Sequence, residues 1–381
     1  MRTIIFGTYD TAMHPRIATI AEGLAARGFD VTECNIPLGL TTADRVDMLA
    51  KPWKAGGLAA RLASRWLGLA ARARRLGKPD VVVVGYLGHF DVHLARLLYP
   101  RRRRIPIVLD HLISAAGTAK DRKIAGSGLK QRLLTMIDAG ALRAADIVVV
   151  DTEEHLEIVP EKYRAKALVV HVGAPTPWHE AAREPASDAS GPLKVVFYGL
   201  YTPLQGTPVI GEALGRLAGA PVEVTMVGRG QDEAETKRAA AANQSVHWLD
   251  WVPAAELPAL VAAHDVCLGI FGTGDKALRV VPNKVFQGAA AGCAVVTSDT
   301  APQRRVLGTV PLESGAVLVP PGDPKALADA LLRLADDREA LLKLRHAARQ
   351  LAAERFTPEQ VVGPLADRLT RGNRPPSQHG A

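Results

Sequence analysis

Apolar residues in this chain fall in short unbroken runs, separated by longer stretches with helical spacing. Thr3–Gly7 and Asp30–Cys34 are the first two runs. Between them the pattern predicts a helix over His14–Arg27, ended by Gly28. Pro79 leads into VVVVGY, a continuous apolar run of the kind buried on both faces of a sheet. Ile107–Asp110, Ile147–Asp151 and Ala167–Val172 follow at strand length. Residues 181–192 contain REPASDASGP and have linker composition. After them the alternation restarts with LKVVFYG, VEVTMVG, SVHWLDWV, VCLGIF, AVVTSD and AVLVPP. Strands alternating with helices in this way argue for an α/β fold with parallel sheets.

The two halves share a plan. Each opens on a buried strand that ends in Gly and a loop, IIFGTYDTAMHP in one and VVFYGLYTPLQG in the other. This predicts two Rossmann-like domains, over 1–180 and 193–356, joined by the 181–192 linker. Residues 323–356 read as two helices with an Asp-Pro start, and 357–371 as a further helix that packs back on the first domain. The tail, 372–381, is polar, Pro-rich and expected to be disordered. In such sheets ligands bind at the carboxyl ends of strands, so two domains place the natural site in the cleft between them. Neither half carries GxGxxG, and GRG at 228–230 is only a fragment of it.

Composition narrows the class. A chain of 381 residues is too long for one ordinary core and suits two domains. Three cysteines without short spacing argue against a disulfide framework or a zinc site. The first residues enter a strand directly, with no signal peptide, and no run is apolar enough to span a membrane. A reducing cytoplasm is the expected location. The net charge of +8 is uneven: residues 51–104 hold 13 Lys or Arg against two Asp. Within that segment Leu58, Leu62, Trp66, Leu69, Ala73 and Leu76 form one helical stripe, and Arg61, Arg65, Arg72 and Arg75 an adjacent one. The stripe either faces the core with the arginines in solvent, or docks peripherally on the inner face of an anionic membrane through 54–78 and 101–104. No nucleic-acid module is present, so nucleic acid is not an expected partner.

Candidate chemistry concentrates at 276–299, KALRVVPNKVFQGAAAGCAVVTSD. Pro282 suits the first turn of a helix, because its missing N–H would have no partner there. Asn283, Lys284 and Val285 then lie where free N–H groups and the positive dipole end favour an anion. Lys276, Arg279 and Lys284 add cations, and Gly288, Gly292 and the alanines keep the helix thin enough to pack closely on a sheet. The pattern is that of a phosphate site in an α/β domain.

Taken together, these motifs are similar to those of retaining glycosyltransferases of the GT-B fold, close to glycosyltransferase family 4. The resemblance covers nearly the whole chain and is strongest over 193–322. It rests on FYGLYTPLQG, VEVTMVGRG, SVHWLDWVPAAELPALVAAHDVCL, PNKVFQGAAAGCAVVTSD and LVPPGDPKALADAL, with ALRAADIVVVDTEEHLEIVPEKY and ALVVHVGAP in the first half. It implies a nucleotide-diphospho-sugar donor in the second domain, an acceptor hydroxyl on the first, no cofactor and no metal. The chain departs from the family at four charged positions. Leu200 and Gln205 replace a basic pair on the Gly-loop, and Arg279 and Gln287 replace two glutamates around the donor helix.

The expected catalytic set is Arg279, Lys276 and His111: the two cations offset those lost at the Gly-loop and stabilise the diphosphate, and the resemblance implies that His111 faces the donor sugar across the cleft. The implied donor-binding set is Gly199, Gln205, Gly206, Gly228, Asn283, Lys284, Val285 and Gln287. Arg16, His89, Asp91 and Asp110 lie at carboxyl ends of first-domain strands, as acceptor-side candidates. HExxH, Walker A, GxSxG and a DxD pair are absent from the sequence. The competing readings are another GT-B enzyme, a sugar-nucleotide epimerase or phosphorylase, and a non-catalytic sugar-nucleotide-binding scaffold subunit.

Overall fold

A computed structural model describes residues 1–10, 15–39, 55–85, 88–111, 128–183 and 191–372. His14, Lys51, Lys54, most of the expected linker and the tail from 373 lie outside these, as does the Leu58 side chain. The chain forms two compact units. One comprises Met1–His171 with the segment from Val362 onward, and the other Val172–Val361.

The first unit holds six parallel strands in the order β2-β1-β3-β4-β5-β6. They are β1 (Arg2–Gly7), β2 (Asp30–Asn35), β3 (Val81–Val84), β4 (Ile107–Asp110), β5 (Ile147–Val150) and β6 (Ala167–Val169). β3, β4 and β5 are buried along their whole length, as their uninterrupted apolar runs require. One face packs Ile5, Ile17, Ile20 and Leu24 with Leu365, Ala366 and Leu369 of the last helix, Gly363–Gly372. That helix is separate from Pro358–Val361 rather than continuous with it. Pro364 has no N–H to continue the helical ladder, which explains the break.

The basic helix, Ala55–Leu76, lies on the other face. Leu69 and Ala73 are fully buried there, with Trp66 and Leu76 packed beside them. Arg61, Arg65, Arg72 and Arg75 are exposed. From Trp66 on, the apolar stripe therefore faces the protein's own core. Among the described residues no helix is long and apolar enough to cross a membrane.

The second unit also has six parallel strands, ordered β12-β11-β10-β7-β8-β9. They are β7 (Leu193–Tyr198), β8 (Val222–Val227), β9 (Val246–Leu249), β10 (Val266–Leu268), β11 (Ala294–Ser298) and β12 (Ala316–Val319). Strand order reverses at β7, which has β8 on one side and β10 on the other, and such switch points open a crevice for ligands. The helix Asn283–Ala290 packs directly on this sheet. A Cβ added at Gly288 would sit 2.5 Å from Cys267 Cβ, so only glycine permits this approach. Pro282 precedes the helix in an extended conformation. Asp323 caps Pro324–Asp336 by accepting from the Ala326 N–H at 2.9 Å.

Candidate active site

In the second unit the chain leaves β7 at Gly199 and loops back to the helix Thr207–Arg216, which Gly206 caps in a left-handed conformation. The neighbouring turn at Gly228 closes tightly over this loop. Its φ is 130°, and a Cβ there would lie 1.9 Å from the Gly199 carbonyl oxygen. The two strand ends thus approach backbone to backbone, which only glycine allows.

Lys284 reaches this loop from the first turn of its helix. Its Nζ donates to Gln205 Oε1 at 2.5 Å and lies 3.7 Å from the centroid of the Phe197 ring. A Cβ at Gly199 would stand 3.2 Å from the same nitrogen. The side chain is 4 % exposed, and among the described residues no carboxylate lies within ion-pair distance of it. Burial pushes its pKa down to about 7. A buried amine with one neutral acceptor and an aromatic face is poised to gain a proton when an anion arrives.

The other donor-side residues divide by exposure. Asn283 is half-buried at the helix start, with backbone N–H groups beside it. Val285 is fully buried in the core, so only its backbone could contribute to a ligand. Gln287 is also buried, and its Oε1 accepts from the Tyr198 hydroxyl at 2.8 Å, which leaves the amide nitrogen as its available end. Arg279 is exposed on the short turn Ala277–Arg279, and Lys276 beside it is half-buried.

In the first unit, polar side chains gather at the carboxyl ends of the strands, but several are committed to structure. Asp91 accepts from the Thr8 N–H at 2.7 Å, the Thr8 hydroxyl at 2.9 Å and Trp66 Nε1 at 2.8 Å. It ties β1 to the basic helix rather than presenting a free carboxylate. Arg16 and Asp110 form a buried ion pair, Nε to Oδ1 at 2.8 Å, and Arg16 Nη2 donates to the Val170 carbonyl. These two side chains bond each other in the buried interior, and Arg16 Nη1 and Asp110 Oδ2 are left without a hydrogen-bond partner there. Burial raises the Asp110 pKa, while Arg16 pulls it down.

His111 follows β4 directly, and its N–H donates to the Val149 carbonyl at 2.8 Å. Burial, and next the nearby His89, lower its pKa to about 4, so the ring is neutral at pH 7. The His89 and His111 ring centroids are 5.3 Å apart, and His89 Nε2 lies 3.0 Å from Asp138 Oδ1. Asp138 belongs to the helix Gly128–Ala144 and carries no motif that sequence reading could use. Asp151 and His155, bonded at 2.5 Å after β5, were missed for the same reason. A cavity of about 450 Å³ in this unit, lined by Arg96, Arg104, Asp146 and Arg368 among others, opens at the amino ends of the strands, away from these groups.

Residues 192–337 match the family model for glycosyl transferases group 1. No curated relative matches the sequence. Among solved structures, sucrose-phosphate synthase from Thermosynechococcus elongatus is similar over 98% of this chain and 99% of its own, with 16% identity and a TM-score of 0.68. HepE from Anabaena, solved in complex with UDP-glucose, covers 97% of this chain and 99% of its own at 14% identity and a TM-score of 0.64. A glycosyltransferase from Rickettsia africae covers 97% of both chains at 13% identity and a TM-score of 0.62. Two parallel six-stranded units give this protein the GT-B fold of those structures, and its second unit carries the region that matches the group 1 glycosyl transferase model.

Proposed function

We propose that the protein transfers a sugar from a nucleotide-diphospho-sugar to an acceptor hydroxyl with retention of configuration and without a metal or other cofactor. The observation that carries this is Lys284: a buried amine in the first turn of its helix, held against the Gly-loop with no carboxylate within ion-pair distance among the described residues. A departing diphosphate needs positive charge placed where its own charge develops. Lys284 and the helix start at Asn283 supply it, with Lys276 and Arg279 adding charge at the rim. Gly199, Gln205, Gly206 and Gly228 shape the loop on which the diphosphate rests. The Gln287 amide serves a ribose hydroxyl.

In this scheme the bond from the anomeric carbon to the diphosphate oxygen breaks, and the acceptor oxygen bonds to the same face. The acceptor proton passes to a leaving-group oxygen, so no protein nucleophile is required. On the first unit, His111, neutral at working pH, is able to hydrogen-bond a sugar hydroxyl. HepE was solved with UDP-glucose, which makes UDP-sugars the first donors to test. The acceptor belongs to the first unit, with His89 nearest to His111. Peripheral membrane contact, if the acceptor is a lipid, would rest on the arginine face alone, because the apolar stripe is used by the core.

The test is calorimetric binding of UDP, GDP, ADP and dTDP to wild type, Lys284→Ala and Arg279→Ala, followed by turnover with the matching sugar. One selective nucleotide, weakened at least tenfold in Lys284→Ala, is the expected result. Binding without turnover across a broad acceptor panel would favour the scaffold reading. Phosphate-dependent turnover would favour a phosphorylase, and no nucleotide binding would end the proposal.

A further inference from the structure

Three side chains with metal-ligand chemistry meet at the carboxyl ends of β3 and β4 in the first unit. His89 precedes the helix Asp91–Leu98, His111 follows β4, and Asp138 comes from Gly128–Ala144. One ligating atom from each lies within 4.8 Å of the others. We propose that His89, His111 and Asp138 form a binding site for a divalent cation of the zinc class.

The first argument is spacing. Metal–ligand bonds of about 2.0–2.1 Å in a tetrahedral site put ligand atoms roughly 3.3 Å apart. His89 Nε2 and Asp138 Oδ1, at 3.0 Å, already stand near that separation. His111 needs to close by no more than about 1.5 Å, a small rotation of one ring.

The second argument is satisfaction. His89 Nε2 and His111 Nδ1 are both buried without a hydrogen-bond partner. The 3.0 Å approach of Asp138 to His89 is therefore a contact that is not aligned as a hydrogen bond. Buried polar nitrogens are almost always partnered, and two orphans at one spot call for an occupant. A cation satisfies both rings at once, with the Asp138 carboxylate balancing its charge.

Chemistry and support agree. Two imidazoles and one carboxylate suit zinc and its first-row neighbours better than magnesium or calcium, which take all-oxygen shells. Three protein ligands leave a fourth position for water, and the cation takes no part in the transfer step, which needs no metal. The ligands sit on held elements. The His111 backbone is bonded to β5, and the helix after His89 is anchored through Asp91 to Thr8 and Trp66. The three cysteines are buried and do not compete for the metal. His89 and His111 are shared with the proposed sugar contacts, but the diphosphate assignment rests on second-unit residues, so zinc uptake and nucleotide binding can fail separately.

The experiment titrates chelator-treated full-length protein with zinc chloride by calorimetry, alongside His89→Gln and Asp138→Asn. Wild type should take up one equivalent. Each variant should weaken binding by more than the roughly 10–100-fold that loss of an outer-shell partner costs. Cobalt(II) should give tetrahedral visible bands in wild type that both variants lose. Circular dichroism checks that the variants fold. Should they fail to, anomalous diffraction at the zinc edge on wild-type crystals decides, with a peak between the three side chains expected. Unchanged binding in folded variants, no uptake by wild type, or an anomalous peak elsewhere overturns the proposal.

Discussion

Replacing Lys284 by methionine removes the buried amine while keeping much of its volume. In the unfolded chain this lysine titrates at 10.5, and in the fold at about 7. That fall corresponds to about 5 kcal/mol of destabilisation while the folded amine is charged. Between those pH values the unfolded chain holds a proton that the fold has released, so wild-type stability rises with pH across this window. The penalty is full below pH 7 and gone above about 10.5. Methionine removes it but leaves Gln205 Oε1 without its donor, which costs about 1–3 kcal/mol. Lys284→Met should therefore be more stable than wild type by about 2–4 kcal/mol near pH 6, with the gap shrinking as pH rises. Urea unfolding at several pH values reads this directly. The same variant should lose nucleoside diphosphate affinity, and wild type should take up a proton on binding above pH 7, seen as a buffer-dependent calorimetric enthalpy. A variant less stable than wild type at pH 6, with unchanged diphosphate binding, would refute the buried-cation argument.

Gly228→Ala drives a Cβ into the Gly199 carbonyl at a φ that alanine avoids, and should lower stability by about 1–3 kcal/mol and impair donor binding, read by thermal melting and calorimetry. Arg16→Met alone leaves Asp110 buried and unpaired and should cost about 3–5 kcal/mol, whereas adding Asp110→Leu should recover most of it in denaturant melts. Asp91→Ala strands the Thr8 and Trp66 donors and should cost about 3 kcal/mol, with Trp66 fluorescence reporting a loosened basic helix. The low pKa of His111 means that its neutral form persists down to about 4, so a pH–rate profile should show no inflection from it between about 6 and 8, while His111→Ala should depress kcat.

Several elements could be read from the sequence because they obey local rules. VVVV lies buried as β3, and LKVVFYG and AVVTSD begin as β7 and β11, because an unbroken apolar run can only be satisfied inside a sheet. The Asp323 cap and the helix after Pro282 follow from backbone chemistry within a few residues. Even the role of the basic helix was half visible, since its stripe at helical spacing offered only a core or a membrane.

The tertiary structure alone assigned partners. Arg16 and Asp110 are 94 residues apart and pair in the core, and Asp91 is claimed by Thr8 and Trp66. The sequence offered Lys284 as one of three cations around the helix start, and only the fold shows that it is the buried one, because it lies on the side of its helix that faces the Gly-loop. His89, His111 and Asp138 carry no recognisable spacing and meet only because β3, β4 and a later helix end at the same rim. Fold class thus follows from the periodicity of burial, which is local and written along the chain. The state of each charge depends on what the folded chain brings within a few ångströms of it, and that is fixed only when distant segments close on one another.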